Sequence, residues 1–254
     1  MRNKKHLAAL LSVGLWPLLG AEAADGTRLT VGSYFSSGDY GGSTTTEVQS
    51  LSLALRHRSG PWELKLSVPY LRITSDGSVL PDGEPTGAST TRSTRSGLGD
   101  VSVRLGRRLV YDKVNGYGLT ARVKVKLPTA NEDRALGSGE YDYTFELAPF
   151  KRFGDTTLYG ALGYKVYGDT DTTDYNNVWL GRAGVMQRLD ARQSLGISTS
   201  YRQKTTDTRD DKHNMMLFHT YKFDKTWRVQ SFVIKGLSDA TADLAGGISL
   251  THQF

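Results

Sequence analysis

The feature that most constrains this sequence is a period of two in its hydrophobicity, since apolar and polar side chains alternate along many segments. The segment 62–68 reads WELKLSV, so its tryptophan, leucines and valine lie on one face and its glutamate, lysine and serine on the other. The same pattern returns at 101–105, 119–127 and 195–202. A period of two is typical of a β-strand whose faces meet different surroundings, whereas a helix repeats about every 3.6 residues. The sequence therefore predicts an all-β fold.

Twelve alternating segments follow residue 24, and the connections between them alternate in length. The predicted strands are 27–36, 45–57, 62–74, 97–109, 117–128, 141–153, 157–168, 177–188, 194–205, 213–223, 227–237 and 243–254. The short connections are 58–61, 110–116, 154–156, 189–193 and 224–226. The longer ones are 37–44, 75–96, 129–140, 169–176 and 206–212, and 238–242 is a five-residue exception. This alternation predicts an antiparallel up-and-down order with the long loops at one end.

Such a set of strands fits a water-soluble barrel or sandwich with its apolar face inward, or a transmembrane barrel with that face toward lipid. The strand lengths favour the transmembrane barrel, because about 10 residues at a tilt of roughly 45° cross a bilayer. The even strand number and the longer loops on one side are also typical of bacterial outer-membrane barrels. A lipocalin-like soluble periplasmic barrel is the structural alternative.

Aromatic residues near both ends of the predicted strands favour the same choice. Those beside short connections are Trp62, Phe153, Phe223 and Trp227, and those near long connections are Tyr70, Tyr141, Tyr143, Tyr167 and Trp179. Amphipathic rings prefer the level of the lipid headgroups, so a transmembrane barrel has an aromatic belt at each interface. The sequence therefore predicts outer-membrane lipids and lipopolysaccharide as surroundings.

The first 23 residues have the organisation of a secretory signal peptide. Arg2, Lys4 and Lys5 form a basic start, an apolar run of 14 residues covers 7–20, and AEA at 21–23 is a cleavage sequence. We therefore predict a signal peptide at 1–23 and one outer-membrane β-barrel at 24–254. The short turns and both termini are expected in the periplasm and the long loops outside, because an even number of strands leaves both ends on one side.

Composition excludes several classes of protein. The chain has no cysteine, which excludes disulfides, thiolate metal sites and a lipid-modified N-terminal cysteine. Hydrophobic residues are 38% of the 254 residues, too few for several helical membrane spans. The net charge of +6 is compatible with nucleic acid, a membrane surface or a charged pore. Export to the envelope argues against a nucleic-acid partner.

The C-terminal segment predicts recognition by the barrel-insertion machinery. Ile248, Leu250, His252 and Phe254 share one face of the last predicted strand, and the chain ends on the phenylalanine. A terminal aromatic residue on the last strand resembles the recognition strand of bacterial outer-membrane barrels. This strand must also pair with the first, because an open edge in lipid leaves backbone groups without hydrogen bonds.

Alternation also predicts which charged residues line the barrel interior. They are Glu63, Lys65, Asp100, Arg104, Arg122, Lys124, Lys126, Asp142, Glu146, Lys165, Arg182, Arg202 and Lys204. A basic lumen attracts anions and repels cations. The plainer alternative is a set of ion-pair ladders that only fills the barrel. Twelve strands lie between the filled eight-stranded and the open sixteen-stranded barrels, so an open and a plugged pore both stay possible.

No catalytic motif, cofactor site or metal site is predicted. The sequence contains no G-x-S-x-G motif, and His213 and His219, six residues apart, do not make a metal site. Acidic loop residues near 169–174 and 207–211 offer oxygen ligands for calcium, but solvated loops are the preferred interpretation. The chain is therefore not expected to be an enzyme.

Five short pieces resemble one family. They are GLGDV at 97–101, KLPT at 126–129, LGSGEYDY at 136–143, KRFG at 151–154, and the paired glycines of 163–169. Their order and spacing resemble proteobacterial outer-membrane proteins labelled "MetA-pathway of phenol degradation". The resemblance covers 97–169, implies an outer-membrane barrel that takes up phenolic or other aromatic compounds, and supplies no catalytic residues.

The leading hypothesis is a porin-like barrel that passes small aromatic, phenolic or anionic solutes into the periplasm by passive diffusion. One alternative is a route for hydrophobic aromatics that leaves sideways through the wall. Another is a non-transport envelope barrel that acts as an adhesin or scaffold. The registers of 177–188, 213–223 and 227–237 are ambiguous, because apolar residues occur on both of their faces.

Overall fold

The structure, a computed structural model, describes residues 25–40, 43–76, 91–169 and 174–254. The predicted signal peptide at 1–23 and positions 77–90 of the expected loop at 75–96 lie outside the described residues. No helix in the described part of the chain is long and apolar enough to cross a membrane.

The described residues form thirteen β-strands. They are β1 (Gly26–Gly38), β2 (Thr46–Ser59), β3 (Trp62–Asp76), β4 (Arg92–Leu98), β5 (Ser102–Asp112), β6 (Tyr117–Lys126), β7 (Asp142–Phe153), β8 (Thr156–Val166), β9 (Val178–Arg188), β10 (Gln193–Arg202), β11 (Lys212–Lys222), β12 (Trp227–Gly236) and β13 (Leu244–Gln253). The alternation in the sequence therefore located the strands, mostly to within one to three residues.

The strands close into one antiparallel barrel. Apart from β4 and β5, strands that are neighbours along the chain pair with each other, and β1 pairs with β13 from Arg28 opposite Gln253 to Ser37 opposite Leu244. Both β4 and β5 pair with β3, at its two ends, so together they fill one position in the wall. The result is the twelve-stranded up-and-down barrel that the sequence predicts, closed between β1 and β13.

The fourth strand position differs from the prediction of one strand at 97–109. It starts earlier, at Arg92, and is interrupted between Leu98 and Ser102. At the interruption the Gly99 amide donates to the Pro69 carbonyl over 2.9 Å, and the Val101 amide donates to the Thr129 hydroxyl over 2.8 Å. The Gly99 amide thus keeps a bond to strand β3, whereas the Val101 amide bonds to the loop that follows β6. Residues 75–76 and 92–96 of the expected loop are therefore strand.

The five short connections lie at one end of the barrel, here called the turn end; the strand ends that the longer connections join lie at the other, the loop end. Gly60, at the first turn, has φ of +53°, a left-handed conformation that glycine adopts without strain. At the last turn the Asp224 carboxylate accepts the backbone amide of Trp227 at 2.7 Å and that of Thr226 at 2.6 Å. The Trp227 amide, followed by the Thr226 hydroxyl, lowers the pKa of Asp224. The contribution of these bonds to the stability of the turn is fully present at pH values above the ordinary carboxyl pKa. It is lost as the pH falls through the lowered pKa of Asp224.

The two faces of the wall differ as the alternation predicts. On β2, Leu51, Leu53 and Leu55 are exposed on the outside, while Ala54 and Arg56 are buried inside. Most predicted belt residues lie on the outer face, and Trp62, Trp227, Tyr70 and Trp179 are each at least 40% exposed. Tyr167 is an exception to the prediction. It follows β8 on the inward side, is 6% exposed, and its ring lies 3.6 Å from the Lys165 ammonium.

Candidate functional site

A row of cations crosses the inner wall on five neighbouring strand positions. Arg28 lies opposite Arg56, Arg56 opposite Lys65, Lys65 opposite Arg104, and Arg104 opposite Lys124. Directly opposite residues point to the same face of a sheet and lie close together. Like charges in such positions destabilise a sheet, so this row costs stability and calls for a functional explanation.

Glu63 is the carboxylate beside the turn-end half of this row. Its side chain is mostly buried and lies 2.6 Å from Arg58, 3.5 Å from Arg56 and 3.5 Å from Arg104. One carboxylate thus faces three guanidinium groups. The local charge therefore stays positive after the ion pairs have formed.

The middle of the wall repeats this excess of positive charge. Arg122 on β6 lies opposite Glu146 on β7, and their side chains meet at 2.6 Å. Lys124 lies two positions further along β6, and Arg182 projects from β9 into the same interior space. This geometry can hold or guide an anion.

A buried ion cluster lies at the loop end, and we call Asp100, Lys126, Asp142 and Lys165 the loop-end cluster. The Lys126 ammonium lies 3.0 Å from Asp100 and 3.6 Å from Asp142, and Lys165 lies 2.9 Å from Asp142. All four residues are at most 7% exposed. Here the charges are balanced, which favours a structural role for these four residues.

The connection between β6 and β7, residues 127–141, folds into the barrel mouth, and we call it the inward loop. Its Leu136 is 1% exposed and packs on the inward side chains of Val48, Leu71 and Ile73. The loop is also tied to the loop-end cluster, because the Ala130 amide donates to Asp100 over 3.0 Å. Part of the lumen at this end is therefore filled by the chain itself.

Four of the five pieces that carry the family resemblance meet at this loop; the fifth, KRFG at 151–154, lies at the turn end. Asp100 belongs to the first piece, Lys126 to the second, Asp142 to the third and Lys165 to the last. A side-chain carbon at Gly137 would lie 2.6 Å from an Asp100 oxygen, so only glycine fits there. Four segments spread over 97–169 thus form one contact region.

The structure places most of the predicted lumen residues on the inward face. Glu63, Lys126, Asp142 and Lys165 are buried, and Lys65, Arg104, Arg122, Lys124, Glu146, Arg182 and Arg202 are partly buried at inward positions of their strands. Asp100 is buried but lies in the interruption between β4 and β5. Whether these residues line a working pore stays a prediction.

Lys204 requires a correction. The prediction put it on a strand at 194–205, but β10 ends at Arg202, and Lys204 is exposed in the following loop. Its backbone amide donates to Asp211 over 2.8 Å, and its ammonium lies 3.8 Å from Asp207. The loop acids thus bind the loop itself. Asp171, the middle acid of the other calcium candidate, lies outside the described residues.

Sequence reasoning missed several inward cations. They are Arg28, Arg56, Arg58, Lys212, Lys222 and Arg228, all partly or fully buried at inward positions. For Arg56 and Arg58 the signal was present, because they alternate with the outward leucines of β2. For Lys212 and Arg228 it was hidden, since their strands carry apolar residues on both faces.

The C-terminal strand has the expected faces. Ile248, Leu250 and Phe254 are exposed on the outside. The His252 ring lies 4.5 Å from the Trp227 ring and 4.6 Å from the Phe254 ring, measured between centroids. The end of the chain thus forms an outward aromatic cluster at the turn end. Its recognition by the insertion machinery remains a prediction.

One protein family matches the whole barrel. Its description reads "Putative MetA-pathway of phenol degradation", and the match covers residues 24–254. The chain belongs to this family. The similarity to this family, first seen at 97–169, therefore extends over residues 24–254. No curated protein matches the sequence.

Solved outer-membrane barrels share the fold. An outer membrane channel from Pseudomonas putida F1 has a TM-score of 0.77 and 15% identity, covering 100% of this chain and 99% of its own. The NanC porin has a TM-score of 0.59 and 11% identity, covering 89% of this chain and 98% of its own. The translocator domain of the autotransporter NalP from Neisseria meningitidis has a TM-score of 0.55 and 12% identity, covering 92% of this chain and 90% of its own. The chain therefore has the fold of bacterial outer-membrane barrels.

Proposed function

We propose that this barrel is an outer-membrane channel that passes small, mainly anionic solutes into the periplasm by passive diffusion. The observation that carries the proposal is the row from Arg28 to Lys124, in which cations lie directly opposite one another on neighbouring strands. The stability that such like-charged neighbours cost is reasonable in an aqueous interior that mobile anions enter, because the cations attract those anions. Glu63 and Glu146 offset only part of the charge.

The proposed orientation has the turn end and both termini in the periplasm, with the inward loop and the other long connections outside. Short periplasmic turns and longer external loops are usual in bacterial barrels. Residues 1–23 would be removed on export, and the outward strand ending at Phe254 would be read by the insertion machinery. Lipids would contact the outer leucines and the aromatic belts.

Ion selectivity tests the proposal. The wild-type protein in a planar bilayer with a potassium chloride gradient is expected to give a reversal potential that favours chloride. The double variant Lys124→Gln, Arg182→Gln removes two inward charges, so the chloride-to-potassium permeability ratio is expected to fall several-fold toward one.

The matched control is Arg107→Gln. Arg107 also lies on a barrel strand, but it is exposed on the outer face, with its guanidinium 5.1 Å from the Trp62 ring centroid. This variant should keep the wild-type reversal potential. Cation preference in the wild type would overturn the basic pathway. A folded barrel that never conducts would favour the adhesin or scaffold alternative.

A further inference from the structure

The barrel interior contains a cavity with two unlike walls. Its volume is about 240 Å³, and it lies in the loop-end half of the barrel. Seven cationic side chains line it, among them Lys124, Arg182 and Arg202, together with one carboxylate, Glu146. Glu146 lies 2.6 Å from Arg122 and Asp142 lies 2.9 Å from Lys165, so the cations of the lining still outnumber the carboxylates beside them.

The facing wall is apolar. Met216 on β11 lies opposite Ile234 on β12, and Ile234 lies opposite Ala245 on β13, so three apolar residues cover three neighbouring strands. Tyr34 on β1 continues this surface. A simple anion channel has no use for such a wall, since small inorganic anions gain nothing from apolar contact.

A packed cluster supports the apolar wall from the turn end. Met186, Phe218 and Phe232 are each at most 6% exposed, and Tyr34, Met216 and Ile234 pack against them. The Tyr34 and Phe232 rings are stacked with centroids 6.4 Å apart. The wall is therefore a fixed surface. A preformed apolar surface with a few charged groups opposite is a common arrangement in small-molecule sites.

The two walls together select a chemical class. A neutral aromatic compound would use the apolar wall only, and acetate or chloride would use the cations only. A ligand that satisfies both has an apolar ring and an anionic group. The cavity is large enough, because an apolar cavity of about 150 Å³ already accepts benzene.

We propose that this cavity binds aromatic carboxylates of the size of benzoate. The carboxylate faces Lys124 and Arg182, and the ring lies on Met216 and Ile234. The assignment rests on the proposed function, because it takes solutes to reach the barrel interior. The charge row alone would let any small anion pass. The cavity adds a binding site for one defined class of ligand.

Equilibrium dialysis of the refolded, detergent-solubilised barrel tests the site without requiring conductance. Radiolabelled benzoate is the probe, and acetate and benzamide are the competitors; benzamide keeps the ring and removes the charge. We expect saturable benzoate binding at one site per chain. Acetate and benzamide should each compete at least ten-fold more weakly than unlabelled benzoate.

Variants separate the two walls. Ile234→Asn and, as a second apolar variant, Met216→Gln should weaken benzoate binding at least five-fold and leave the acetate competition unchanged. Arg182→Gln should weaken both anions. Val233→Asn is the matched control, because Val233 neighbours Ile234 but is exposed on the outer face. Circular dichroism confirms that each variant is folded before its binding is compared.

The outcomes distinguish this site from the channel. No saturable benzoate binding, or equal competition by benzoate and acetate, would overturn the site even if the pore is anion-selective. Selective benzoate binding by a barrel with no anion-selective conductance would support the site and overturn the proposed pathway. Loss of benzoate binding in Val233→Asn as large as in Ile234→Asn would also contradict the assignment.

Discussion

Replacing Asp142 by asparagine is expected to lower the free energy of unfolding by about 3–5 kcal/mol, because it removes one partner of a buried ion pair. The Asp142 side chain is 2% exposed and lies between the Lys165 ammonium at 2.9 Å and the Lys126 ammonium at 3.6 Å. Asparagine keeps the size and removes the charge. In this variant Lys126 still has Asp100 as its ion-pair partner at 3.0 Å, so the residue that mainly loses its partner is Lys165.

Urea unfolding of the refolded barrel, followed by circular dichroism, measures this loss. The matched control is Asp155→Asn, which breaks the ion pair between Asp155 and Arg188 at the turn end. Both side chains of that pair are more than half exposed, so its loss is expected to cost about 1 kcal/mol or less.

A second variant distinguishes an ion-pair effect from a general disturbance of β7. Combining Asp142→Asn with Lys165→Gln removes both charges of the pair, and the double variant should recover part of the stability lost in the single one. Equal losses for Asp142→Asn and Asp155→Asn would show that water screens the loop-end cluster. That result would contradict its description as a dry, structural cluster.

Replacing Leu53 by lysine is expected to lower the free energy of unfolding in a lipid bilayer by about 2–4 kcal/mol, the cost of a charge on the lipid face near the midplane. Leu53 lies near the middle of β2 and is 49% exposed on the outer face. Its partners across the sheet are Val31 and Val68, which offer the new ammonium no hydrogen bond, so the cost is expected to appear as lost stability.

Ser52→Lys is the matched control, one residue away on the opposite face. Ser52 points inward, its hydroxyl donates to the Gly32 carbonyl over 3.3 Å, and its partners across the sheet are Gly32 and Pro69. These small neighbours leave room for a longer side chain, so we expect a change of about 1 kcal/mol or less. Urea unfolding in liposomes compares the two variants. A larger loss for Ser52→Lys would mean that the two faces of β2 are exchanged.

The inward and outward faces of a strand were predictable wherever the two faces meet unlike surroundings. Val123 and Lys124 fall on opposite sides because successive side chains of a strand alternate strictly. The same reasoning failed at Met216, Phe218 and Phe232, which are inward but apolar. Their strands carry apolar residues on both faces, so alternation held no information about which side is inward.

The fourth strand position shows a different limit. The sequence placed one strand at 97–109, and the structure divides it at Asp100. The carboxylate there is held by the Lys126 ammonium and the Ala130 amide, from residues 26 and 30 positions later. A local pattern cannot report a bond of that range. The end of β10 before Lys204 was missed for a similar reason, since the bonds of Lys204 to Asp207 and Asp211 belong to the loop.

The sequence by itself determined the all-β class, the number of strand positions, the order of short and long connections and most of the inward charges. These depend on local periodicity and on turn residues, which each segment carries independently of the others. Only the tertiary structure decided which charges lie opposite one another, that Leu136 folds inward onto Leu71 and Ile73, and that a cationic wall faces Met216 and Ile234. Those features depend on strand register and on closure between β1 and β13, and both are set by hydrogen bonds between segments far apart in the chain.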